Sequence, residues 1–77
     1  MPTILRIQGY RFFFYSNDHS PPHIHIEKES STAKFLLKNI TLVKSRRFNS
    51  SQLSEIREII LQNRELLQQK WDEYFTD

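Results

Sequence analysis

An α+β fold, with an antiparallel sheet of three to five strands packed against one long C-terminal helix, follows from three observations. Between Thr3 and Val43, short β-branched and aromatic runs alternate with turn formers. From Asn49 onward, apolar residues recur at helical spacing with no Gly or Pro to interrupt them. At 77 residues the chain makes one domain. A domain of this size buries only about 60–65% of its unfolded surface, which leaves one modest core and no deep cavity. The sheet region is expected over residues 1–47 and the helix over residues 49–75.

Thr3 to Ile7 reads as the first strand, and Gln8-Gly9 supplies the chain's single glycine where a tight turn wants positive φ. Tyr10 to Tyr15 is the second strand, aromatic on both of its faces and therefore central. Ser16 to Pro22 is a loop of turn formers, and its two prolines lead the chain into extended geometry. His23 to Lys28 is the third strand. Glu29-Ser30-Ser31 turns, Thr32 to Leu37 is the fourth strand, and Ile40 to Val43 adds a short fifth. Lys44 to Arg47 is a basic connector. Asn49 is the N-cap of the helix, with Gln52 as its capping-box partner and Phe48 positioned to staple onto Leu53. Leu53, Ile56, Ile60, Leu67, Trp71 and Tyr74 form the apolar stripe. Uninterrupted, Ser50 to Phe75 would span about 39 Å, longer than a small sheet can cover. Either the helix breaks near Gln62-Asn63, or its last third packs on a partner.

Composition excludes several function classes. With no Cys there is no disulfide scaffold, thiolate metal site or cysteine nucleophile, and a reducing compartment is favoured. No apolar run approaches the roughly 18 residues of a membrane span, and the first residues lack a signal-peptide pattern. A soluble, cytoplasmic protein is expected. Charge is uneven: residues 1–47 carry eight Lys/Arg against three Asp/Glu, and residues 48–77 carry three against six. A basic sheet is compatible with phosphate-bearing partners, and equally with an ordinary solvated face.

The chemistry-bearing stretch is His23-Ile24-His25-Ile26-Glu27. Strand side chains alternate, so Ile24 and Ile26 share one face while His23, His25 and Glu27 share the other. The two histidine Cα atoms would lie about 6.7 Å apart. Three readings stay open. The pair could bind a metal, with Glu27 or His19 as third ligand. It could act metal-free as acid and base. It could simply hydrogen-bond its neighbours. Arg11 and Lys34 are placed to steady a phosphate, and Tyr15 to stack on a base. At the far end of the helix, Trp71, Tyr74 and Phe75 lie beyond the reach of a small sheet and suggest an oligomer or partner surface. No phosphate loop, nucleophile elbow or HExxH motif occurs, and no cofactor is called for.

MPTILRIQGYRFFFYSND, PPHIHIE, the AKF strand and REIILQNRELLQQKWDEYF together resemble the domain of unknown function 4160 family over nearly the whole chain. The family's usual Glu before Asn63 is Gln62 here. The resemblance implies a small prokaryotic protein, encoded beside a second small domain of unknown function, the two forming a toxin–antitoxin module. It carries over His23, His25, Arg11 and Tyr15 as motif residues, without a catalytic assignment. The function expected first is an RNA-directed component of such a module, ribonuclease-like and metal-independent. Attack by a 2′-OH needs only a base, an acid and cations, each contributing about 10²–10⁴-fold. The alternatives are a non-enzymatic, antitoxin-like protein that binds its partner through the helix, and a metal-binding module built on the His-x-His strand.

Overall fold

A computed structural model of the chain describes residues 3–75. Strands β1 (Thr3–Ile7), β2 (Tyr10–Phe13), β3 (His23–Lys28), β4 (Ser31–Leu36) and β5 (Thr41–Arg46) form one sheet. The sheet is an antiparallel meander in the order β1-β2-β3-β4-β5. Helices α1 (Ser50–Gln62) and α2 (Arg64–Tyr74) follow it. The first hairpin closes through Gln8 and Gly9 at φ 54° and 85°, the left-handed pair that matches strand twist in a two-residue loop. Lys44 to Arg46, expected in a connector, instead extend β5.

Alternation along β3 decides the sheet's two faces. Ile24 and Ile26 are fully buried with Phe12 and Phe35 from the neighbouring strands, and Ile56, Ile60 and Leu67 of the helices complete the same core. Burying each such side chain stabilises the fold by about 1.5–3 kcal/mol. The sheet-to-helix junction is fixed locally. The Asn49 side chain accepts from the Gln52 N–H at 2.8 Å, and the Gln52 side chain accepts from the Asn49 N–H at 3.0 Å. Phe48 is buried in the core beside which Leu53 packs.

The single long helix is corrected to two helices, with the break at the Gln62-Asn63 position that the sequence offered as one outcome. Asn63 is the cause. Its side-chain amide donates to the Ile59 carbonyl at 2.8 Å, and its backbone N–H is shared between the carbonyls of Ile59 and Ile60. An Asn side chain that competes for helical carbonyls favours a stop over continuation. Arg57 and Arg64 donate to the carbonyls of Ile40 and Lys38, tying both helices to the β4–β5 turn.

A bulge in β5 sets the outer face. Lys34 pairs with Lys44 and Phe35 with Leu42, so Val43 is an extra residue. Without it Leu42 and Lys44 would share a face. With it, Leu42 packs against the core while Lys44 lies outside beside Lys34. Among the described residues, no helix is long and apolar enough to cross a membrane.

Candidate functional site

The site forms where the β2–β3 loop folds back over the start of β3. The loop is organised by a reciprocal turn. The Asp18 N–H donates to the Tyr15 carbonyl at 3.1 Å, and the Tyr15 N–H donates to Asp18 Oδ2 at 2.9 Å. This aims the Asp18 carboxylate at the two strand histidines. Oδ1 lies 3.1 Å from His23 Nε2, and both oxygens lie 3.2 Å from His25 Nε2. All three side chains are largely withdrawn from solvent.

His23 is the most constrained member, only 4% exposed. Its Nδ1 lies 2.9 Å from the Pro21 carbonyl. A carbonyl only accepts, so Nδ1 carries the proton. Nε2 faces the Asp18 carboxylate, as a lone pair in the neutral ring and as a donor in the imidazolium. Although Asp18 Oδ1 is within reach, the geometry makes no hydrogen bond, so this buried nitrogen has a charge neighbour but no hydrogen-bond partner. Trp71 closes over the ring at a centroid distance of 5.0 Å.

His25 sits further out, stacked on Phe13 at 5.5 Å and edge-on to Tyr15 at 4.6 Å. Burial lowers its basicity. Asp18 works in the opposite direction but does not outweigh burial, His23 and Lys34, so the imidazole is held below its usual range. For Asp18, burial pushes the carboxyl up. The Tyr15 N–H and the two imidazoles outweigh it, so the group stays ionised below the ordinary carboxylate range. An anionic oxygen and two imidazole nitrogens, all within 4.8 Å of one another, are a set of metal-ligating atoms. Zinc–ligand bonds of about 2.0–2.1 Å place tetrahedral ligands about 3.3 Å apart. The two contacts from Asp18 already have that spacing.

The other expected site residues divide. Glu27 is not beside the histidines. It accepts from Arg11 at 2.6 Å, and the Arg11 guanidinium also bonds Thr3 and lies over the Phe13 ring. Arg11 is thereby already neutralised. His19 is exposed on the rim of a cleft shared with Asp18 and His23. Tyr15 and Lys34 do flank His25. Trp71, expected at a partner surface, is instead buried in its own chain against Phe14 and His23, because the break at Asn63 starts a new helix there. Phe75 packs half-buried on Trp71 and Phe14, and Tyr74 stays 45% exposed.

Two contributors escaped sequence reasoning. Asp18 was one turn former among several, and only its position three residues after Tyr15, the spacing of the observed turn, hinted at a fixed carboxylate. Lys44 reaches the site through a bulge that no periodicity announces. No curated protein and no solved structure matches this chain. Residues 9–72 match the family described as Domain of unknown function (DUF4160), and the chain belongs to that family.

Proposed function

We propose that the protein is a metal-binding module in which Asp18, His23 and His25 are the three protein ligands of a divalent transition ion, zinc being the best fit to a His₂Asp set. The observation that carries this is the orphaned Nε2 of His23. Leaving a buried polar atom without a hydrogen bond costs about 1–3 kcal/mol. A cation between this nitrogen and the Asp18 carboxylate would make ligands of both. The surroundings match what ligating groups need. The far ring nitrogen of His23 is tied to a backbone carbonyl, and Asp18 is oriented by a backbone N–H.

The same convergence disfavours a metal-free acid–base pair. An acid and a base for phosphodiester cleavage must address two different oxygens, whereas both Nε2 atoms here turn to one carboxylate. His23 is also too buried to meet a substrate on its own. With three protein ligands, a zinc ion would keep a fourth position for water or ligand, the arrangement of catalytic rather than structural zinc sites. The test is elemental analysis of tag-free protein dialysed against zinc and then against buffer. One retained zinc per chain is expected in the wild type and none in His23→Ala. Equal zinc in both, or none in either, rejects the reading.

A further inference from the structure

We infer that the open side of this centre takes a phosphate ester, with the backbone of a single-stranded nucleic acid as the form that fits best. The inference rests on the metal-binding reading above and adds a ligand class to it. Cross-strand pairing lines up Phe13, His25, Lys34 and Lys44 in one row across the outer face. The ligand imidazole therefore lies next to two ammonium groups. Lys34 borders both openings beside the centre. One is a cleft of about 190 Å³ that also carries Phe13, Tyr15, His25 and Lys44. The other, about 530 Å³, carries Asp18, His19 and His23.

The electrostatics of that row lack an anion. Like charges directly opposite on adjacent strands destabilise a sheet. The bulge at Val43 creates this opposition by turning Lys44 outward. Among the described residues neither lysine makes an ion pair. The nearby acids are engaged elsewhere, Glu27 with Arg11 and Asp18 with the histidines. Two unpaired cations beside a site for a dication make a focus for a ligand bearing phosphate oxygens. Tyr15, 43% exposed at the edge of the same cleft, offers a ring for a base next to that phosphate. A chain of phosphates with bases between them uses both features, whereas free phosphate uses only the cations.

The experiment uses tag-free full-length protein loaded with cobalt(II), whose visible spectrum reports its coordination. Inorganic phosphate and a short single-stranded RNA are titrated in separately. Both are expected to shift the spectrum saturably, the RNA at lower concentration. Lys34→Ala/Lys44→Ala should keep the cobalt spectrum, bind RNA about tenfold or more weakly, and show a shallower salt dependence. Because the double variant removes a repulsion, its melting temperature should not fall, which separates lost binding from lost folding. A cobalt spectrum that neither probe perturbs overturns this inference and leaves the metal reading standing. Absence of any cobalt spectrum overturns both. A shift with phosphate but not RNA retains the phosphate site and rejects the nucleic acid.

Discussion

The two faces of β3 obey different rules within six residues. Inward, Ile24 and Ile26 are fully buried among apolar neighbours and make no polar demands. Outward, His23 and His25 are also withdrawn from solvent, but against a carboxylate and with a nitrogen left unsatisfied. The inner face is complete by itself. The outer face carries a polar cluster whose hydrogen bonds its own neighbours do not complete. A small domain with only one modest core has little stability to spare, so an uncompensated polar cluster in it points to function more than to packing.

The largest effect should come from breaking the inner face. Phe12→Ala removes a fully buried ring from the centre of the core and should cost about 3–5 kcal/mol in urea unfolding. A loss of under about 1 kcal/mol would mean that the core repacks. The outer face should behave oppositely, gaining stability from an added ligand. At about 100 times its Kd, zinc should raise unfolding free energy by about 2.7 kcal/mol, and His23→Ala should remove that increment while Glu27→Gln keeps it.

A third contrast is with a buried polar group that is fully satisfied. Tyr10 is 1% exposed and donates to Glu55 at 2.5 Å. Burial, then the bond to Glu55 and its charge, push the phenol from 10.0 up to about 12. The folded pKa is raised, so this contribution is fully present below pH 10.0 and is lost as pH rises through about 12. Tyr10→Phe should be less stable by about 0.5–1.5 kcal/mol near neutral pH and should converge with wild type in alkaline urea melts. A constant difference across that range would show that the hydrogen bond is not the source. The smallest effect belongs to the lysine pair. Lys44→Ala should stabilise the metal-free protein by about 0.2–1 kcal/mol, most clearly at low salt.

Much of the framework was legible because periodicity reports on burial. His23 to Lys28 forms the strand expected, with Ile24 and Ile26 inward, and Asn49 caps α1 through Gln52 as its side chain demands. Legibility failed where one residue's geometry, and not a repeat, decides the outcome. A break near Gln62-Asn63 was open in the sequence as one of two outcomes, but not that Asn63 decides it and so carries Trp71 into the core instead of onto a surface. Val43 inserts into β5 and turns Lys44 outward. Asp18 comes from a loop, where spacing along the chain says little about direction in space. The histidine pair could therefore be seen in the sequence, but its third partner could not. Glu27, the expected carboxylate, was claimed by Arg11 across the β2–β3 pairing.

The most direct test separates those two carboxylates. Tag-free wild type, Asp18→Asn and Glu27→Gln should be titrated with zinc by calorimetry, with folding of each checked by circular dichroism. A single saturable site is expected in wild type, the same site in Glu27→Gln, and its loss or a weakening of about tenfold or more in a folded Asp18→Asn. Zinc bound as tightly by Asp18→Asn as by wild type would contradict the Asp18–His23–His25 centre.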